Sequence, residues 1–199
     1  MKKNYFSLKG KKVKRLAWVT WLVLVGWLVT MPIHAAERGV YKSNGVIFSI
    51  SVRTPEQIRA FYIARGFPEA AIRELESKCL LTAGVLNGTN DILWLEPSKW
   101  RFTTNDGEKV TRISRDEWNT RWTQLDVPLA SRATFGWTQL PESRGLLADE
   151  TVGGNIAIIP PAGPFSVEAV FETGEGRHGP LVKFKASDLK CGPQAGDNK

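Results

Sequence analysis

The stretch in this chain most like a chemical motif is Val170 to Phe184, "VFETGEGRHGPLVKF", in which Gly174, Gly176 and Gly179 spell G-x-G-x-x-G. That fingerprint holds a pyrophosphate only where it joins a strand to a helix, whose first N–H groups face the anion. The strand is there, in "SVEAVFE". After Gly179, however, come Pro180 and then Val182, Phe184 and Ala186 alternating with Lys183 and Lys185. A period of two is a strand, so the glycines read as a hairpin loop and no dinucleotide is expected. His178, in the same loop, is the single histidine beyond residue 36, and no G-x-S-x-G accompanies it. One histidine, no methionine and two distant cysteines support neither a zinc cluster nor a soft copper site. A carboxylate-only calcium site stays open, without a D-x-D-x-D-G loop to mark it. Asp116-Glu117 and Asp149-Glu150 are sequence neighbours whose side chains diverge, so neither pair makes an acid–base site. Asp116 and Glu117 suit a helix N-terminus instead. The expectation is no catalytic residue, no metal and no cofactor.

Aromatic residues carry more of the signal. Trp94, Trp100, Trp118, Trp122 and Trp137 are many for one domain. Trp118 and Trp122 stand i, i+4 on one helical face, and Ile58, Phe61 and Tyr62 form an apolar face on another helix, flanked by Arg59 and Arg65. Flat aromatic platforms and arginines are common anchors for a sugar or a protein partner. Ile58, Phe61, Tyr62, Arg65, Trp118 and Trp122 are therefore the candidate partner-binding residues. Sealing one end of a core is the competing role for the same side chains. Trp94 and Trp137 fall within expected strands and are assigned to the core.

The charge distribution separates a tail from a body. Residues 1–36 hold Lys2, Lys3, Lys9, Lys11, Lys12, Lys14 and Arg15 and no acid; the other 163 residues balance 20 cationic side chains against 20 acids. A nucleic-acid partner needs a basic footprint, and this body has no net excess to supply one. After the cationic tail (1–15) comes Leu16 to Ile33, 18 residues without a charge. As a helix it would reach about 27 Å, close to a bilayer core. Cations before the apolar segment place the tail in the cytoplasm and the body outside. Residues 16–36 are then either a retained inner-membrane anchor, as the length favours, or a signal peptide cleaved near Ala35 after the helix-breaking Pro32. Both export the body, and periplasmic localisation follows. The only cysteines, Cys79 and Cys191, lie in that exported part, where a disulfide between them would persist.

The exported domain is expected over 37–190, with 191–199 a frayed tail and no internal repeat. "GVIFSISV" is a strand. Thr54-Pro55-Glu56-Gln57 is a capping box opening a first helix; Gly66 ends it, and a second helix follows Pro68. From Cys79 the pattern is β: "CLLTAGVLN", "ILWLE", "WRFTT", a hairpin turn at Asn105 to Gly107, and "EKVTRIS". Ser114 to Glu117 caps a short helix, followed by "RATFGWTQL", "GGNIAIIP", "FSVEAVFET" and "LVKFKA" as strands. Short strands at this spacing point to an antiparallel sandwich with an inserted helical pair.

Leu147, Glu150, Gly153-Gly154 and "NIAIIP", with the alternating strand after them, resemble the late strands of immunoglobulin-like domains of exported bacterial proteins, over about a third of the chain. The resemblance implies a non-enzymatic binding or assembly module of the cell envelope, with another envelope protein as its partner. The alternative is an envelope sugar-binding protein or hydrolase that uses the aromatic surface.

Overall fold

The computed structural model describes residues 38–192, a mainly β structure of two antiparallel sheets and four helices. One sheet runs β1 (Arg38–Ser43), β2 (Val46–Val52), β3 (Cys79–Asn87), β8 (Thr151–Ile158), β6 (Arg112–Ile113). The other runs β10 (Val182–Leu189), β9 (Phe165–Thr173), β4 (Leu93–Leu95), β7 (Arg144–Leu146), with β5 (Arg101–Thr104) also on β9. The helices are α1 (Pro55–Ile63), α2 (Glu69–Glu76), α3 (Arg115–Gln124) and α4 (Leu129–Thr138). Among the described residues, no helix is long and apolar enough to cross a membrane. The segment expected to do so, Leu16 to Ile33, lies outside the described residues.

Alternation decides which side chains face inward. On β2, Val46, Phe48 and Ile50 point into a core shared with Leu81, Ala83 and Val85 of β3 and with Phe165, Val167 and Phe171 of the opposite sheet. Apart from the small Ala83, each of these side chains stabilises the fold by roughly 1.5–3 kcal/mol on burial. Cys79 and Cys191 form a disulfide, Cα to Cα 5.4 Å, linking the start of β3 to the segment after β10. Between β9 and β10, Gly174 takes φ +84°, and Gly179 N–H closes the loop on the Thr173 carbonyl at 2.9 Å. A strand follows, so the G-x-G-x-x-G is a hairpin loop with no helix end to receive phosphate.

The opposite face of the first sheet is only half covered. Cross-strand register sets Ile113, Ala157 and Leu80 in one row, and this row meets the helices in a second core with Ile58, Tyr62, Leu75, Trp118, Trp122 and Phe135. The next rows, Ser51–Thr82–Asn155 and Ser49–Gly84–Gly153, carry small polar residues.

The four helices are two copies of one device, contrary to the expectation of no repeat. Thr54 and Ser114 are both capping-box N-caps, 60 positions apart. At that offset Gly66 and Asp126 both take positive φ (+72° and +49°), and Pro68 and Pro128 both start the second helix. Phe67 N–H bonds the Tyr62 carbonyl as Val127 N–H bonds that of Trp122. Buried positions match as well: Ile58 with Trp118, Tyr62 with Trp122, Leu75 with Phe135. From Thr54 to Glu76 only Pro68 and Ala70 are identical to their counterparts, so the repeat lies in caps, turn and burial, and residue identity hides it.

Two expected strands are corrected. "RATFGWTQL" is mostly α4: a strand would put Phe135 and Trp137 on one face, whereas the helix buries Phe135 and turns Trp137 outward. "EKVTRIS" contributes just Arg112–Ile113 as a strand, after Val110 has paired its N–H with the Phe102 carbonyl across the Asn105–Gly107 turn.

Candidate functional site

The candidate partner residues divide by burial. Ile58, Tyr62, Trp118 and Trp122 are buried, and the two indoles stack with centroids 4.7 Å apart against Phe135. These four belong to the core, because the helical pairs face each other and the sheet. Phe61 is half-buried and Arg65 exposed, its guanidinium 3.5 Å from the Phe61 ring centre and its Nη1 donating to the Phe61 carbonyl at 2.7 Å. The core assignments of Trp94 and Trp137 are corrected. Trp94 lies half-buried on the outer side of β4, donating to the Gly174 carbonyl at 2.8 Å under Arg177. Trp137 is 83% exposed, because the helix that buries Phe135 turns it outward.

Trp137 and Phe61 are walls of a cleft of about 350 Å³ over the open half of the first sheet, floored by Thr82, Gly153 and Asn155. A neighbouring depression of about 460 Å³ continues it over Ser49, Ser51 and Gly84 to Arg38; the two share Arg53, Thr82, Gly153 and Gly154. Both volumes suit a small ligand. Gly154 is required for a local reason: a Cβ there would lie 2.3 Å from the backbone nitrogen of Leu140, which passes beneath β8.

One hydrogen-bond chain orders the floor. Arg53 Nε donates to Thr82 Oγ1 at 2.7 Å, and Thr82 Oγ1 donates to Asn155 Oδ1 at 2.7 Å. Asn155 Nδ2 donates to Tyr62 Oη at 3.3 Å. Thr138 Oγ1 donates to the Phe135 carbonyl at 2.8 Å, which leaves it to accept from Tyr62 Oη at 3.2 Å. The direction follows from chemistry: a guanidinium only donates, so each later group must pass its proton onward. Burial pushes the Tyr62 hydroxyl above its ordinary pKa, against its hydrogen bonds with Thr138, Asn155 and Gln139. Within this chain its hydroxyl donates to Thr138.

Arg59, Arg73, Arg101, Arg112, Arg121, Arg144 and Arg177 all pair with glutamates, whereas Arg65, Arg115 and Arg132 form no such pair among the described residues. Among the described residues Arg38 and Arg53 pair with none: Arg38 Nη2 donates to Ser49 Oγ at 2.9 Å, and Arg53 spends only Nε on Thr82. Among the described residues no carboxylate lines either depression. Ser51, 5% exposed, has no hydrogen-bond partner for its hydroxyl among the described residues. The arrangement offers open cationic donors, hydroxyls and an aromatic wall, which is equipment for holding an anion with a flat apolar part.

The repeat supplies an internal comparison. The positions equivalent to Phe61 and Trp137 are Arg121 and Ser77. There Arg121 Nη1 meets Glu74 at 2.9 Å and Lys78 meets the same carboxylate at 3.1 Å, so ion pairs join α3 to α2. Aromatic side chains stand at the α1–α4 edge instead. Sequence reasoning had found Phe61 and missed Arg38, Arg53, Thr82, Trp137 and Asn155. The usable signal was the small polar set of Ser49, Ser51, Thr82 and Gly84 alternating with core residues. No three His, Cys, Asp or Glu side chains group as metal ligands among the described residues. No protein-family model, curated protein or solved structure matches this chain.

Proposed function

We propose that this chain is an exported, membrane-anchored, non-enzymatic binding or assembly module of the cell envelope, with the open half of the first sheet as its recognition face. Leu16 to Ile33 holds it in the cytoplasmic membrane, and the body from about Glu37 works in the periplasm. Supporting export are the seven cations before the apolar segment and the Cys79–Cys191 disulfide. The observation that carries the binding reading is the pair Arg38 and Arg53, unneutralised above a hydroxyl-rich floor. The resemblance to immunoglobulin-like domains supports it at the level of two antiparallel sheets around one core. The first three strands stay in one sheet, however, where that fold sends its third strand across. Of the alternative reading, the sugar-binding half is favoured by exposed Trp137; for the hydrolase half, no carboxylate among the described residues lines the cleft.

The test uses full-length protein in detergent on isolated envelope fractions. Retention should fall about tenfold in Arg38→Glu/Arg53→Glu, as expected when charge-assisted bonds become repulsions. It should be unchanged in Lys183→Glu/Lys185→Glu, which alters the exposed lysines of β10. Equal loss in both variants would mean bulk charge and not this face. A reporter fused after Lys199 should be active only outside the cytoplasm.

A further inference from the structure

Resting on that reading, we infer that the open face binds an acidic saccharide, with a carboxylate of one sugar held between Arg38 and Arg53 and a neighbouring ring laid on Trp137.

The anion end is built from groups whose donors are unspent. Arg38 lies over Gly84, since a Cβ there would come within 3.9 Å of its Nη2 and 2.9 Å of Ser49 Oγ. Arg53 is bonded to Thr82, two residues back along the same strand. The β3 positions they touch, Thr82 and Gly84, are two residues apart, about 7 Å at about 3.3 Å per residue, a span on the scale of one carboxylate and its ring. Ser51, opposite Thr82 in register, puts an unpartnered hydroxyl into the space between them. A hydroxyl that lines an open depression without a protein partner is free to bond a ligand or water.

The ring end is Trp137, with Phe61 opposite. Trp137 contributes little to the core at 83% exposure, yet it stands over a polar floor. An acyl chain there would cover the Ser51 hydroxyl and the remaining guanidinium N–H groups of Arg53 with hydrocarbon and offer them no acceptor, which costs free energy. A pyranose presents an apolar face to the indole and hydroxyls to the floor, meeting both demands. The side chains along the rows are hydroxyls and amides, suited to hydroxyl-bearing ligands; an added peptide strand would instead need an open sheet edge.

Titration calorimetry on the full-length protein in detergent decides the matter. The probes are trisaccharides containing galacturonate, glucuronate or N-acetylmuramate, each beside its neutral counterpart. At least one acidic trisaccharide should bind about tenfold more tightly than its neutral form, and more weakly as salt rises. Trp137→Ala and Arg53→Ala should each weaken that binding about tenfold without moving the melting temperature, and Arg53→Lys should recover part of it. The inference is overturned if no acidic trisaccharide binds, if the neutral forms bind equally well, or if Trp137→Ala has no effect. It is overturned too if hexaglutamate or phosphatidylglycerol vesicles bind in an Arg53-dependent way and the trisaccharides do not. In that outcome envelope retention sensitive to Arg38→Glu/Arg53→Glu would keep the binding-module reading intact. Retention insensitive to that change would remove the reading itself.

Discussion

Truncating Trp122 tests whether the twin indoles are core, and the structure fixes the size of the effect. Trp122 is fully buried, stacked on Trp118 and edge-on to Phe135 at 5.0 Å between centroids. Trp122→Ala should cost about 3–5 kcal/mol, as large aromatic deletions from packed cores do. For a domain of this size that lowers the melting temperature by about 6–20 °C. Trp122→Phe is the sharper measurement. The indole Nε1 atoms of Trp118 and Trp122 are buried with no hydrogen-bond partner. Phenylalanine loses about two methylene equivalents of burial, about 1.6 kcal/mol, plus a small cavity. It also removes an orphan N–H whose burial costs about 1–3 kcal/mol. The two nearly cancel, so Trp122→Phe should melt within a few degrees of wild type. Near-ultraviolet circular dichroism of oxidised protein during heating reads both variants. If Trp122→Ala leaves the melt unmoved, the indole is a surface anchor and the packing argument fails. If Trp122→Phe costs as much as Trp122→Ala, the N–H is satisfied and the compensation argument fails.

Three further outcomes are expected. Cys191→Ser, or reduction of the wild type, should lower stability by about 4–5 kcal/mol less any native strain, since the bridge spans 112 residues; equal denaturant midpoints with and without reductant would contradict this. Gly154→Ala should destabilise strongly, because its Cβ meets the Leu140 backbone, while Gly163→Ala, with nothing within 4 Å, should be silent in the same melts. Burial pushes the Glu142 carboxyl up, but the Arg112 guanidinium and the Arg115 N–H outweigh it and hold the carboxyl below its usual value. Its contribution is therefore present above the unfolded carboxylate value of about 4.3 and lost as pH falls through the lower folded value. Glu142→Gln should thus be less stable than wild type at neutral pH, and the gap should close in acid. A gap that widens in acid would reverse the sign and sink the assignment.

What could be read from the residues was whatever local chemistry dictates. Thr54 and Ser114 announced their caps, alternation announced β2, β3, β8, β9 and β10, and the two cysteines of a body expected to be exported announced their bond. Asn44-Gly45, with both φ positive, is the two-residue turn joining β1 to β2, and β1 was missed because Arg38–Ser43 has no buried alternate to mark it. The error at "RATFGWTQL" was one of period. Ala133, Phe135 and Trp137 alternate like a strand, and Thr134, Gly136 and Thr138 dilute helix propensity. The aromatic cluster of Tyr62, Phe67, Trp118 and Trp122 overrides that preference by accepting Phe135 from a helix. The candidate site was illegible for a related reason: Arg38, Thr82 and Asn155 come from three strands far apart in sequence, and only their register unites them.

The repeat turns the exposure of Trp137 into an argument about function. A surface tryptophan alone means little, since folded proteins expose much apolar area. Here the same helical device occurs twice in one chain, and at the equivalent place the other copy carries Ser77, beside an Arg121–Glu74–Lys78 cluster that ties α3 to α2. Both copies form the cap, the turn, the proline and the buried aromatic or aliphatic positions, so none of these depends on an indole at position 137. Folding therefore gives no reason for Trp137. Nor does it explain why both arginines beside it lack carboxylate partners, when seven of the ten other described arginines have them. An apolar platform and uncompensated positive charge along one continuous depression, with no return to the fold, are what selection for a ligand would leave behind.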